Sequence, residues 1–246
     1  MNIREELYRL FCVPRCTSCD SYLKPEENVL CRECMETFCG EKVRDCSFCF
    51  HPITECACTP RVFKKAKIHH LFKVSRYYTN LEKSPTKKLI FSLKKENLRK
   101  VMTFMANELI EGLSRYYGES ASELVIVPVP RRRANVVKFG YDHAYELAKR
   151  IAKKLNCQVF CALISQTRRD QKGLNREERR ENVKFKLKKN IILEKKRILI
   201  LDDIVTTGAS MVTAAKLLAE LHPQEIDGAC FAISYKDIDL NASIPF

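Results

Sequence analysis

Residues 198–210 read Ile-Leu-Ile-Leu-Asp-Asp-Ile-Val-Thr-Thr-Gly-Ala-Ser, and this stretch limits the fold more than any other. Four consecutive apolar residues, Ile198 to Leu201, suit a strand buried on both faces. Ala214, Ala215, Leu217, Leu218 and Leu221 then follow at helical spacing. Strand, turn and helix in that order place the turn at the carboxyl edge of a parallel sheet, where backbone N–H groups and the positive end of a helix dipole can receive a phosphate. The expected phosphate grip comprises Val205, Thr206, Thr207, Gly208, Ala209 and Ser210: Gly208 permits close approach, and Thr206, Thr207 and Ser210 add hydroxyl donors. Asp202 and Asp203, expected at the strand end, are acceptors suited to two neighbouring sugar hydroxyls. The competing reading is a buried strand that happens to end in a polar turn.

The whole string resembles the PRPP-binding motif of type I phosphoribosyltransferases, in which the acidic pair holds the ribose 2′ and 3′ hydroxyls and the turn holds the 5′-phosphate. Residues 124–130, Leu-Val-Ile-Val-Pro-Val-Pro, make a second buried strand, followed by Arg131, Arg132 and Arg133. The resemblance implies that this loop faces the pyrophosphate of PRPP, with Arg131 placed to hold its oxygens bidentately. Residues 139–144, Phe-Gly-Tyr-Asp-His-Ala, lead into a helix over 144–155 that Asp142 or His143 can cap. His143 is a candidate acid or base, but the sequence offers it no partner. Val159 to Ile164 reads as a short strand. Residues 166–182 have almost no apolar residue, and such a loop is expected to close over bound PRPP, carrying Arg168, Arg169, Lys172 or Arg176 to the diphosphate. The expected contact is Arg169. The alternative for its second half is a charged helix over 175–182. Residues 228–235 supply a last apolar strand.

A chain of 246 residues has room for one α/β domain and a small module. Ten of thirteen cysteines fall between Cys12 and Cys58. No run of 18 apolar residues occurs, so neither a membrane span nor a signal peptide is expected, and clustered Cys pairs in a non-exported chain fit metal better than disulfides. Cys16, Cys19, Cys31 and Cys34 form two C-x2-C pairs eleven residues apart, the spacing of two knuckles that close a tetrahedron of thiolates about Zn²⁺. Cys46, Cys49, Cys56 and Cys58 are a candidate second zinc set, in which the last pair is one residue too close for a normal knuckle and His51 is a candidate substitute ligand. Closed four-thiolate zinc is structural rather than catalytic. Residues 2–11 read as a short amphipathic helix.

The formal charge of +14 is unevenly spread. Residues 1–59 carry seven basic and ten acidic side chains, whereas residues 60–100 carry thirteen basic and two acidic. The composition breaks near Pro60, giving a cysteine-rich zinc module over 1–60 and a transferase-like domain over 61–246, the latter divided into a basic hood and first helix (61–120) and a core (121–246). Lys64, Lys65, Lys67, Lys73, Arg76, Lys87, Lys88, Lys94 and Lys95, interleaved with Phe63, His69, His70, Phe72, Tyr77, Tyr78 and Phe91, are candidate contacts to single-stranded DNA, because bases stack on rings while cations follow the backbone. The alternative, favoured on this stretch alone, is that the apolar residues face the core under a solvated basic surface. A helix is expected over 96–113.

The succession of cysteine knuckles, basic segment, the Val-Pro-Val-Pro-Arg-Arg-Arg and Phe-Gly-Tyr-Asp-His-Ala segments, the Gln171-Lys-Gly-Leu-Asn-Arg-Glu-Glu-Arg-Arg-Glu-Asn-Val183 element and the PRPP motif resembles the ComF family of competence proteins over nearly the entire chain. The family usually carries a fourth C-x2-C pair, from which Cys56-Ala-Cys58 departs. The resemblance implies a type I phosphoribosyltransferase-like fold, a mainly parallel sheet flanked by helices and preceded by a small zinc-ribbon or knuckle module. It implies a cytoplasmic factor, at the inner face of the inner membrane, that handles single-stranded DNA in natural transformation beside a ComF-type helicase and a recombination mediator. PRPP is expected with Mg²⁺, since a diphosphate facing two aspartates needs a cation. Two other functions stand beside this one: a metabolic phosphoribosyltransferase acting on a nitrogen acceptor, and a PRPP-responsive nucleic-acid-binding regulator.

Overall fold

The computed structural model describes residues 14–42, 59–96, 99–166 and 183–234, with the side chains of Arg61, Lys94, Lys95, Glu96, Lys138 and Phe139 left aside. The expected helix over 2–11, Cys12, the second cysteine set with His51, the loop residues 167–182 including Arg168, Arg169, Lys172 and Arg176, and the C-terminal tail all lie outside those residues.

The centre is a parallel sheet of five strands in the order β1-β7-β6-β2-β3. Its strands are β1 (Leu71–Tyr77), β2 (Leu124–Pro128), β3 (Gln158–Val159), β6 (Arg197–Val205) and β7 (Glu225–Ser234); a separate antiparallel pair joins β4 (Leu163–Ser165) to β5 (Phe185–Leu187). The expected parallel α/β architecture is present. Helices α1 (Arg32–Glu41), α2 (Arg61–Lys64), α3 (Pro85–Glu96), α4 (Arg99–Tyr117), α5 (Arg133–Phe139), α6 (His143–Leu155) and α7 (Ala209–Ala219) complete the described elements, with a 3₁₀ turn at Gly118–Glu123.

The two-residue period of β6 divides the core. Leu199 and Leu201 join one cluster with Phe38, Leu93, Met105, Leu109, Leu147 and Phe231, whereas Ile198 and Ile200 join another with Phe63, Met211, Ala214 and Leu218. Both faces are thus covered, as a continuous apolar run in a parallel strand requires. Residues of the first cysteine segment, Cys16, Leu23, Val29, Leu30 and Phe38, belong to the first cluster.

Several expected elements differ in extent. The helix expected over 96–113 is α4, shifted to Arg99–Tyr117, and a helix that the basic composition concealed, α3, precedes it. The single strand expected over 159–164 is two elements: β3 ends at Val159, where Phe160 N–H still donates to the Ile126 carbonyl, and β4 leaves the main sheet to pair with β5. Residues 71–77 form the edge strand β1, in which Leu71, Phe72 and Ser75 are buried. Phe63, His70 and Phe72 are buried, as the packing reading requires, whereas Phe91, which that reading also turned toward the core, is 43% exposed.

Candidate functional site

Strand β2 pairs with β6 only as far as Pro128 opposite Leu201, while β7 continues beside β6, with Asp202 opposite Cys230 and Val205 opposite Ile233. The acidic pair therefore sits inside β6 rather than past its end. It is placed where the β2 side of the strand becomes an open edge. Val129 N–H still donates to the Leu201 carbonyl (2.8 Å), so the chain leaving β2 runs beside Asp202 and Asp203 before it reaches Arg131.

Asp202 and Asp203 are half-buried. Asp203 N–H donates to Asp202 Oδ1 (2.9 Å) and Ile204 N–H to Asp203 Oδ1 (2.8 Å). Burial, followed by the neighbouring Asp203 carboxylate, pushes the Asp202 carboxyl well above the usual carboxylate range. Asp142 is also raised, by burial first, against the N–H groups of Arg131 and Tyr145 that favour its charged form. Three carboxylates thus share one partly desolvated edge, where a cation would be stabilised.

The turn after β6 holds Gly208 at φ +76°, and Gly208 caps α7. Val205, Thr207 and Gly208 are buried, and Thr206, Ala209 and Ser210 are half-buried. Ala209 N–H lies 3.4 Å from Thr207 Oγ1. Behind the turn stands Phe63, fully buried, whose Cζ is 2.7 Å from where a Gly208 Cβ would sit. The glycine is required twice, for its backbone angle and for this contact.

Arg131, half-buried, faces the same edge from the β2 loop, and Arg133 is exposed. Arg131 backbone N–H donates to Asp142 Oδ2 (2.8 Å), and its Nη1 lies over the His143 ring, 3.0 Å from Nδ1 and 3.4 Å from Nε2. His143 Nε2 is 2.9 Å from the Leu93 carbonyl, which also receives the Tyr141 hydroxyl. Asp203 Oδ2 lies 3.9 Å from His143 Nδ1. Asp142 caps α6 by accepting Tyr145 N–H at 3.3 Å. The capping role of Asp142 was readable from sequence. The partners of His143 were not, because Leu93 and Asp203 lie 50 and 60 positions away.

The four Sγ atoms of Cys16, Cys19, Cys31 and Cys34 lie within 4.8 Å of one another, with Cys19 and Cys31 at 3.7 Å. A tetrahedral Zn²⁺ with Zn–S near ~2.3 Å needs S–S separations of about 3.8 Å, so the residues fit the ion. Backbone N–H of Cys31 donates to Cys16 Sγ (3.3 Å), which favours thiolate at that position. The Ser21 hydroxyl, 2.9 Å from Cys19 Sγ, lowers that thiol to about 6, while burial pushes Cys16 and Cys34 up. Such an ion would tie the loop at residues 16–19 to the start of α1, a folding role.

Of the candidate DNA contacts, Lys64, Lys65, Lys67 and Lys88 are exposed, and Lys73, Arg76 and Lys87 are half-buried. Lys87 Nζ donates to the Thr79 carbonyl (2.9 Å). These residues come from α2 and the turn after it, β1 and α3, and Lys64 follows Phe63 directly in sequence. The side chains of Lys94 and Lys95 lie outside the described set.

A parallel sheet covered on both faces, with an acidic pair at its open carboxyl edge and a glycine-capped helix after it, defines a protein of the doubly wound α/β class. The chain belongs to the phosphoribosyl transferase domain family, whose model matches residues 100–240, more than half of it. It is also similar to Competence protein F of Haemophilus influenzae, 26% identical over 106 residues, which are 41% of this chain and 46% of that protein. The chain thus spans under half the length of that relative. Among solved structures, a purine phosphoribosyltransferase from Pyrococcus horikoshii Ot3 aligns at 17% identity over 53% of this chain and 73% of that one, with a TM-score of 0.34. A hypoxanthine phosphoribosyltransferase from Trypanosoma cruzi aligns at 14% identity over 59% and 69%, with a TM-score of 0.40. No helix among the described residues is long and apolar enough to cross a membrane.

Proposed function

We infer that the edge between β2 and β6 binds PRPP with Mg²⁺ and that the protein is a cytoplasmic factor handling single-stranded DNA in natural transformation. The observation that carries the first part is that the loop after β2 and strand β6 meet at one edge, where Arg131 and Asp203 both approach His143, so that a cation suited to a diphosphate and acceptors suited to ribose hydroxyls share the edge from which β6 runs on to the N-terminus of α7. The raised Asp202 carboxyl supports the divalent cation, which would relieve the crowding of negative charge. Family membership supports the ligand class. In calorimetric titration with PRPP and Mg²⁺, the Asp202→Ala/Asp203→Ala double variant should lose binding while keeping DNA affinity. An unchanged titration curve removes the sugar-grip assignment.

The DNA part draws on the similarity to Competence protein F and on the exposed Lys64, Lys65, Lys67 and Lys88 of α2, the turn after it and α3. If about five phosphates are neutralised, affinity should fall on the order of ten- to a hundredfold between low and moderate salt. A filter assay comparing single and double strands in varied salt tests it, and equal or tighter duplex binding turns the reading toward a regulator. Phosphoribosyl transfer to a nitrogen acceptor has family membership in its favour, and pyrophosphate release across a panel of acceptors separates it from ligand sensing.

A further inference from the structure

Strands β4 and β5 stand apart from the central sheet as a two-stranded ribbon, with Leu163 opposite Leu187, Ile164 opposite Lys186 and Ser165 opposite Phe185. On its inner face Leu163, Phe185 and Leu187 join the core cluster that holds Met211 and Leu218 of α7. Because strand side chains alternate, that packing turns Lys184, Lys186 and Lys188 outward together, where all three are exposed beside Ile164 and Gln166. Backbone bonds extend the pairing at both ends: Gln166 N–H donates to the Lys184 carbonyl at 2.8 Å, and Lys188 N–H to the Ala162 carbonyl at 2.9 Å. No acidic residue occurs from Phe160 to Gln166 or from Val183 to Leu193. The ribbon thus carries a row of cations with no carboxylate of its own, and Ile164, 39% exposed, adds an open apolar side chain beside them.

Resting on the reading that the protein handles single-stranded DNA, we propose that the outward face of this ribbon binds a DNA single strand, with Lys184, Lys186 and Lys188 on successive phosphates and the Phe160 ring under an unstacked base. Alternate residues of a strand recur every ~7 Å, close to the repeat of phosphates along an extended polynucleotide. The row can therefore follow a backbone one phosphate at a time. Phe160, 39% exposed, stands at the Lys188 end: its carbonyl accepts Ala162 N–H at 2.9 Å, and the Ala162 carbonyl accepts Lys188 N–H. An open ring beside cations offers stacking to any base, and only a single strand has bases free to take it. The strip also extends the lysines around α2. Phe63, Phe185 and Leu187 share one core cluster and pack on α7, Phe63 at its Gly208 cap and β5 on the helix, whereas Leu89 and Leu93 of α3 belong to the opposite cluster.

The test is fluorescence anisotropy of a short labelled oligothymidylate titrated with the full chain over a range of salt. Four proteins are compared: the unaltered chain, a ribbon variant (Lys184→Gln, Lys186→Gln, Lys188→Gln), Phe160→Leu, and a control that removes the same charge at exposed positions elsewhere (Lys100→Gln, Lys195→Gln, Lys196→Gln). Each phosphate contact on a single strand contributes about 0.7 to the slope of log affinity against log salt. The ribbon variant should therefore bind roughly tenfold or more weakly at low salt, with a slope shallower by about 2, while the control stays within about threefold. Phe160→Leu keeps apolar bulk and loses the ring, so affinity should fall about fivefold with the slope unchanged. A ribbon variant that matches the control in affinity and slope overturns the proposal, as does a folded Phe160→Leu protein that binds as the unaltered one does. Should Phe160→Leu not fold, the ribbon variant on a duplex of the same length decides: a smaller loss than on the single strand supports the proposal, and an equal or greater loss overturns it. If the unaltered protein does not bind the oligothymidylate, the DNA reading falls and this inference with it, whereas a ribbon variant equal to the control removes the ribbon alone.

Discussion

At Gly208 two constraints coincide, a left-handed backbone at φ +76° and the Phe63 ring where a side chain would begin. Gly208→Ala should therefore destabilise the protein by about 1–3 kcal/mol, from backbone strain and overpacking. Adding Phe63→Leu should recover part of that loss, because the double variant relieves the contact and retains only the strain; thermal melts of the four proteins measure the coupling. Asp202 makes the opposite case, a residue whose placement costs stability. Its folded carboxyl titrates above its unfolded range, so the native state binds the extra proton, and stability falls as pH rises from the unfolded value through the folded one. Without PRPP or Mg²⁺, Asp202→Asn should melt higher than the unaltered protein at pH 7, with the gap closing toward pH 4, and it should bind PRPP poorly. The acidic pair and Gly208 were legible because a strand, its turn and its helix are contiguous in sequence. Phe63 behind the glycine and Leu93 beneath His143 were not, since no local pattern records which distant side chain fills a gap.

Helix α3 shows how elements written in basic residues can still be core. It buries Leu89, Ile90 and Leu93 beneath Lys87 and Lys88, and its start is capped by Ser84, whose Oγ lies 3.2 Å from Lys87 N. A second cap comes from α1: Glu41, 7% exposed, accepts Thr86 N–H at 2.9 Å, and its carbonyl receives the Ser75 hydroxyl at 3.1 Å. A carboxylate at a helix N-terminus meets both the unpaired N–H groups and the dipole. Glu41→Ala should cost about 1–3 kcal/mol in urea denaturation, by leaving Thr86 N–H buried without its acceptor. Because α3 also carries the Leu93 carbonyl, the same variant should weaken PRPP binding more than an exposed control such as Glu36→Ala. Strands β2, β6 and β7 were readable as uninterrupted apolar runs, and α6 as an amphipathic helix behind an Asp cap. The strand expected over 159–164 divided because Phe160 and Cys161 turn away from the sheet before β4 pairs with β5, a tertiary choice that a six-residue apolar stretch does not encode.

The cysteine segment enters the same interior as the transferase sheet: Phe38 of α1 stacks on Phe231 of β7 at 6.0 Å and meets Phe104 of α4 at 5.3 Å, and Lys42 pairs with Glu108. Spacing in the sequence announced the four thiolates, whereas their dependence on α4 and β7 appears only when the chain is folded. A metal ion at Cys16, Cys19, Cys31 and Cys34 would fasten the loop before α1 to α1 itself, and Phe38 and Glu41 would pass that restraint to the centre of the molecule. Calorimetric melting distinguishes this from a module that unfolds alone. With the metal stripped by a thiol-reactive mercurial and chelator, then the mercurial removed by reductant, the main transition should itself fall. A loss of a few kcal/mol corresponds to roughly 10 °C for a chain of this size. Re-addition of Zn²⁺ should restore the transition, with metal analysis giving the bound amount. An early, separate transition with the main peak unmoved would mean that the Phe38 contacts carry little of the coupling. A shift of the whole peak means that one cooperative core spans the cysteine cluster and the strands that present Asp202 and Arg131.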